Sequence, residues 1–220
     1  MRTLIVGMGE VGKALFEVLK DYRKVGIDKE SILEQEHLMQ SIEIMHITFP
    51  YSENFIDEVK KYQEKYQPKY TVIHSTVPVG TSRKCEAIHS PIRGLHPNLE
   101  TGIKQFVKFI GGEKASEVAD YFRRAGIRVM LFDNSDTTEA MKLWDTQYYL
   151  ECIRFAQRVK KYCDDKGLNF HEVYTLANQT YNEGYKELGH PEFVRPVLQP
   201  IIKPIGGHCL LPNEKMLNEN

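Results

Sequence analysis

The chain has 220 residues, 41% of them hydrophobic, and a formal net charge of -1, enough apolar material for one large domain or two small ones. Lysine and arginine are spread along it without clusters, which argues against a nucleic-acid or anionic-membrane surface, and no apolar run approaches the length of a membrane span. Cys85, Cys152, Cys163 and Cys209 lack zinc or redox spacing, so a reduced, cytoplasmic protein without a metal centre is expected.

Met1 leads at once into a strand pattern, Arg2-Thr3-Leu4-Ile5-Val6, so no leader peptide is expected. The strand runs into Gly7-Met8-Gly9-Glu10-Val11-Gly12 and then into the helical pattern of Ala14, Leu15, Phe16, Val18 and Leu19. A second strand, Lys24 to Ile27, ends on Asp28 and is followed by Lys29. Strand, glycine turn, helix, strand and acid in that order form the dinucleotide-binding fingerprint. Gly7 permits the tight turn, Gly9 leaves room for a pyrophosphate, and Gly12 lets the helix pack on the strand. The helix N-terminus turns its free N–H groups toward the phosphates. Asp28 can accept hydrogen bonds from the adenosine ribose hydroxyls and would repel a 2′-phosphate, which selects NAD over NADP. Lys29 next to it weakens that repulsion. The competing readings are a glycine turn of another α/β protein and an S-adenosylmethionine pocket.

Strands and helices then alternate. Ile42 to Phe49 reads as a strand whose end, at Thr48, Phe49 and Pro50, borders a ribose of the cofactor. Glu53 to Tyr66 is an amphipathic helix, and Tyr70 to His74 the next strand. Ala87 to His89, Phe106 to Ile110 and Arg128 to Phe132 are further short strands. A helix with Ala115, Val118, Ala119 and Phe122 on one face precedes the last of them. The fold class expected is α/β, a Rossmann-type doubly wound parallel sheet followed by a small all-helical domain. The boundaries are 1–134 for the cofactor domain and 135–220 for the helical one. The latter opens with one helix from about Asp136 to Lys166, carrying a stripe of Met141, Trp144, Tyr148, Cys152, Phe155, Val159 and Tyr162. Leu143, Leu150 and Ile153 lie off the stripe, so two faces are apolar, and a homodimer is the expected way to cover the second. Cys152 and Cys163 read as packed thiols. Asn169 and Glu172 look like a capping pair for a helix to about Glu183, broken by Gly184 and Gly189. Prolines 191, 196, 200, 204 and 212 make the next stretch an ordered loop ending in Gly206-Gly207-His208-Cys209, and the last eight residues are expected to fray.

Together with the fingerprint, His74-Ser75-Thr76-Val77-Pro78-Val79-Gly80-Thr81 and the Gly206 to Cys209 tetrad make the chain resemble the nucleotide-sugar dehydrogenases, within the 6-phosphogluconate dehydrogenase-like superfamily. The resemblance implies that Ser75 and Thr76 lie near the nicotinamide, that Lys142 in Thr137 to Leu143 stabilises an oxyanion, and that Cys209 is the nucleophile of a thioester step. Gly206, Gly207 and His208 would then border the substrate, with His208 favouring the thiolate when protonated. The pattern is broken at three places. Thr146 stands where asparagine is expected, Asn213 where aspartate is expected, and Pro97-Asn98-Leu99 where Pro-Glu-Phe is expected, with Glu100 close by. The family continues into a UDP-binding domain, whereas this sequence runs eleven residues past Cys209, so a shortened form is expected.

Each candidate also has a plainer reading. Cys209 could be a small buried residue, Lys142 a solvated helix lysine, Ser75 and Thr76 a cap before Pro78, and His74 and His96 hydrogen-bonded structural histidines. Three functions therefore stand. The first is an NAD-dependent oxidoreductase acting on the alcohol of a small molecule, a sugar nucleotide or a smaller hydroxy compound. The second is a non-catalytic dinucleotide-binding sensor or assembly protein, and the third a two-electron hydroxy-acid dehydrogenase or reductase that needs Lys142 but not Cys209.

Overall fold

The strand segments of the first half are apolar at nearly every position, as a sheet covered on both faces requires. The computed structural model describes residues 2–19, 22–28, 41–94, 98–199, 205 and 210–218. The chain divides into two compact units, one running to Leu143 and the other spanning Trp144–Asn218. In the first unit, β1 (Arg2–Val6), β2 (Arg23–Ile27), β3 (Ile44–Ile47), β4 (Tyr70–Ile73), β5 (Ile88–His89), β6 (Lys108–Gly111) and β7 (Val129–Phe132) form one sheet. The strand order is β2-β1-β3-β4-β5-β6-β7. It is a Rossmann-type sheet with one departure from the expected all-parallel form. The contact between β5 and β6, His89 opposite Gly111, is antiparallel, while the other neighbours are parallel.

Alternation along each strand distributes its side chains between two cores. Ile5, Ile44, Val72, Ile88 and Ile110 join α1 (Glu10–Val18), α4 (Leu99–Gln105) and α5 (Ala115–Arg124) on one face. Leu4, Val6, Met45, Ile47 and Ile73 join α2 (Phe55–Tyr66) on the other. The predicted face of α5 is buried as expected, with Ala115, Val118, Ala119 and Phe122 all buried. A single turn, α3 (Thr81–Lys84), follows β4.

α6 (Ser135–Lys166) is one continuous helix of 32 residues. Its two apolar faces fare differently. Leu143, Leu150, Ile153, Ala156 and Cys163 are buried, whereas Trp144, Tyr148, Phe155 and Tyr162 of the longer stripe are each more than half exposed. Cys163 is a packed thiol and Cys152 is only half-buried. Beyond α6, Asn169 Oδ1 accepts the N–H of His171, and a π-helical turn, His171–Leu176, leads into α7 (Ala177–Glu187). Gly184 does not break this helix, because a glycine costs only about 1 kcal/mol inside a helix whose backbone stays α-helical. The break comes at Gly189, whose φ of 78° is left-handed. After a short 3₁₀ turn, Pro191–Phe193, the core of the second unit gathers Ala156, Cys163, Phe170 and Tyr174 with Val197 and Leu198.

The expected frayed end is instead α8 (Leu210–Asn218). Pro212 sits in its first turn, where a missing N–H breaks no intrahelical bond. An ion pair from Arg154 to Glu214 at 2.5 Å ties the helix to α6. Among the described residues no helix is long and apolar enough to cross a membrane.

Candidate dinucleotide and catalytic site

The glycine turn is built as the fingerprint demands. Gly7 has φ of 99° and donates its N–H to Ile27 O at 2.9 Å. A Cβ there would lie 2.7 Å from Phe49 N, and one on Gly12 would lie 2.0 Å from Gly7 O. Gly12 thus lets α1 start against the turn, while a Cβ on Gly9 would meet nothing within 4 Å. That open space in front of the α1 N-terminus, lined by backbone, suits a pyrophosphate. Thr48, just past β3, closes the turn from below: its hydroxyl reaches Gly7 O at 2.5 Å and Val6 O at 2.9 Å.

Val6 pairs with Ile27, so Gly7 and Asp28 leave the same edge of the sheet side by side. Asp28 is exposed there, and Glu10 and Pro50 are exposed nearby in sequence to the turn and to β3. Met8 and Val11 are half-buried. Met8 packs over Gly26, where a Cβ would lie 2.4 Å from its sulfur. Gly26 is a spacing residue that the sequence reading passed over, because its signal lies outside the motif. Lys29, Gly206, Gly207, His208 and Cys209 lie outside the described residues, as does His96.

Ser75 and Thr76 are half-buried at the carboxyl end of β4. Ser75 Oγ donates to Phe49 O at 2.5 Å. Its carbonyl faces His89 Nε2 at 3.2 Å, and His89 Nδ1 meets Thr138 Oγ1 at 2.9 Å. Through this imidazole the end of β4 is joined to the first turns of α6. Burial holds the His89 pKa down to about 3, with the charges of Lys108 and Lys142 adding to the effect. Lys142 itself is half-buried.

One helical turn beyond Lys142 stands Thr146, whose hydroxyl accepts from Asn213 Nδ2 at 3.3 Å. Glu100 is exposed in the first turn of α4, which packs on α1.

A buried polar row under α5 was not foreseen. His74 Nδ1 donates to Ser90 O at 2.7 Å, so its Nε2 accepts from His46 Nδ1 at 2.9 Å. His46 Nε2 faces Tyr121 OH at 3.3 Å, and that hydroxyl meets Thr3 Oγ1 at 3.0 Å. Lys108 Nζ reaches Ser90 O at 3.1 Å, and burial lowers its pKa to about 7. Burial and the Lys108 charge hold His46 near 3 and His74 well below the ordinary range. His74 is therefore a hydrogen-bonded core residue facing away from solvent. The signal that could have found this row was a polar residue recurring at matching positions of otherwise apolar strands.

No family model matches the chain. A UDP-N-acetyl-D-mannosamine dehydrogenase of Methanocaldococcus jannaschii is 26% identical over 176 residues, covering 73% of this chain and 37% of that protein. One from Methanococcus vannielii is 27% identical over 153 residues, covering 63% and 32%. The chain spans about a third of the length of these curated relatives. Among solved structures, the UDP-D-ManNAc dehydrogenase of Pyrococcus horikoshii superposes with a TM-score of 0.81 at 20% identity, covering 100% of this chain and 64% of that one. A 3-hydroxyisobutyrate dehydrogenase of Mycobacterium tuberculosis gives a TM-score of 0.64 at 11% identity, covering 81% of this chain and 70% of that one. The chain is thus a sequence relative of nucleotide-sugar dehydrogenases and carries a Rossmann-type fold.

Proposed function

We propose that this chain is an NAD-dependent oxidoreductase that oxidises the alcohol of a small-molecule substrate, a sugar nucleotide or a smaller hydroxy compound. The observation that carries the reading is the cradle at Gly7 to Gly12. Gly12 is forced by contact with Gly7 O, Gly9 is open, and Asp28 leaves the sheet beside the turn. NAD would lie across Gly7, Met8, Gly9, Glu10, Val11 and Gly12, with Asp28 and Lys29 at the adenosine ribose. Thr48, Pro50, Ser75 and Thr76 would border the rest of the cofactor. Bound there, the nicotinamide supplies a hydride acceptor.

The chain's own groups then have separate tasks. Lys142 stabilises the alkoxide as the hydroxyl proton leaves to a water held nearby. Glu100, Thr146, Gly206, Gly207 and His208 border the substrate. Residues 1–134 act as the cofactor domain. Residues 135–220 act as the helical domain that pairs two copies through the exposed aromatic stripe of α6. Oxidation onward to the acid would pass through a thioester on Cys209.

A second reading is favoured by one contact. Thr146 and Asn213, which replace an asparagine and an aspartate of the related dehydrogenases, bond to each other as a neutral pair. That supports a single two-electron oxidation without acid formation. The test mixes protein, NAD and a panel of sugar nucleotides and hydroxy acids and follows NADH absorbance. Turnover supports the dehydrogenase, and the yield of NADH per substrate separates one oxidation from two. Binding of NAD without turnover on a broad panel would leave a dinucleotide-binding sensor.

A further inference from the structure

Glu139, on the second turn of α6, is fully buried. Its carboxylate accepts two backbone N–H groups, from Gly80 at 2.6 Å and from Ser82 at 2.7 Å. These amides belong to the turn after Thr76-Val77-Pro78-Val79, where Gly80 has the left-handed φ of 87°. Two further contacts join the same short stretch to the same end of α6. Asp136 takes the Arg83 guanidinium at 3.2 Å on the surface, and Thr138 reaches the Ser75 carbonyl through His89. Of the three, the Glu139 contact is the buried, charge-assisted one, so it is the least replaceable by water. Lys142 follows Glu139 by three residues and so shares its side of the helix.

We infer that Glu139 is a positioning residue: by gripping the Gly80 and Ser82 amides it fixes the β4 to α3 turn against α6 and sets Lys142 relative to Ser75 and Thr76. The inference rests on the dehydrogenase reading of those residues. A buried carboxylate is a costly way to hold two loops together, since its ionised form must be solvated by protein dipoles. Packed apolar side chains could supply cohesion, but they would leave the Gly80 and Ser82 amides without an acceptor. Fixed N–H dipoles around a carboxylate instead give a single register, and displacement of a reacting group by about 1 Å lowers a rate by roughly 100-fold.

The test compares wild type, Glu139→Gln and Glu139→Ala in three measurements: kcat and KM with the substrate found active, calorimetric binding of NAD, and amide hydrogen exchange. The glutamine keeps the shape and one acceptor oxygen. It should lower kcat by about tenfold, against about 100-fold for alanine. NAD affinity should stay within about threefold in both, because the cofactor is held mainly by the glycine turn. Gly80 and Ser82 amides should exchange faster in both variants, while β1 to β4 remain protected. The wild type should lose kcat toward acid pH as the carboxylate is protonated, a limb that the glutamine variant lacks. Unchanged kcat in Glu139→Gln together with faster exchange at Gly80 and Ser82 would overturn the positioning role. So would a loss of kcat matched by an equal loss of folded protein. If the wild type itself turns over no substrate, the dehydrogenase reading fails first and the role of Glu139 in it goes with it.

Discussion

Asn213 on α8 donates its side-chain N–H to the Thr146 hydroxyl on α6 at 3.3 Å, and Asn213 is 4% exposed. Both residues depart from the nucleotide-sugar dehydrogenase pattern, so two substitutions that look unrelated in sequence are one contact. The long hydrogen bond between neutral groups is worth about 0.5–1 kcal/mol. A double-mutant cycle of Thr146→Val and Asn213→Ala in urea should return a coupling of about that size. Asn213→Asp should be less stable than wild type at neutral pH and should recover on acidification, because a nearly buried carboxylate is then discharged. On the single-oxidation reading, the wild type yields one NADH per substrate consumed, and two would show that a second oxidation follows.

Gly9 and Gly12 separate the fold from the cofactor. Gly12→Ala drives a methyl to within 2.0 Å of Gly7 O, so it should lower thermal stability and lose NAD binding together. Gly9→Ala meets no protein atom within 4 Å. It should leave the melting temperature unchanged while weakening NAD by tenfold or more, about 1.4 kcal/mol.

The pH dependence of stability follows from the buried row. His46 and His89 fall from 6.5 to about 3 in the folded chain, and His74 is lowered in the same direction. Between pH 6.5 and 3 the unfolded chain binds the extra protons, so folding stability is fully present above 6.5 and is lost as pH falls. His46 and His89 each contribute a slope of about 1.4 kcal/mol per pH unit, and His74 acts in the same direction. Lys108, lowered from 10.5 to about 7, acts in the next window. The unfolded chain again binds more protons, so its contribution rises with pH from 7 to 10.5. Lys108→Met should therefore be more stable than wild type at pH 7, and the difference should shrink by pH 10. Urea titrations across the range measure both slopes.

The aromatic stripe of α6 gives a prediction about assembly. Trp144, Tyr148, Phe155 and Tyr162 are 61%, 63%, 51% and 55% exposed, far more apolar surface than one helix of a monomer usually leaves in water. Sedimentation at micromolar concentration should show a dimer, and Tyr148→Glu with Phe155→Glu should yield a folded monomer. A monomeric wild type would contradict the assignment.

The order of elements was legible because β1, β2, β6 and β7 run into Gly7, Asp28, Gly112 and Asp133 and the helices keep their period, as in Ala115, Val118, Ala119 and Phe122. The glycine turn was legible for a stronger reason: backbone contacts such as Gly12 against Gly7 O leave no other residue acceptable. What stayed hidden was long-range. The antiparallel contact of His89 with Gly111 depends on how the chain returns after β5, which no local pattern encodes. The end of α7 was misplaced because Gly184 and Gly189 are the same letter with different backbone angles. His46, His74 and Lys108 are separated by 28 and 34 residues and become one group only when the strands align. Glu139 carries no local signal of its role, because the amides it holds lie more than fifty residues away.

The proposed NAD site is the cradle at Gly7 to Gly12 with Asp28. Calorimetric titration of the wild type with NAD and with NADP, repeated on Gly9→Ala, tests it most directly. Saturable one-site binding of NAD, at least tenfold weaker binding of NADP, and loss of NAD affinity in a Gly9→Ala protein of unchanged melting temperature are the predicted results. An absence of NAD binding by the folded wild type, or equal binding by Gly9→Ala, would contradict the claim.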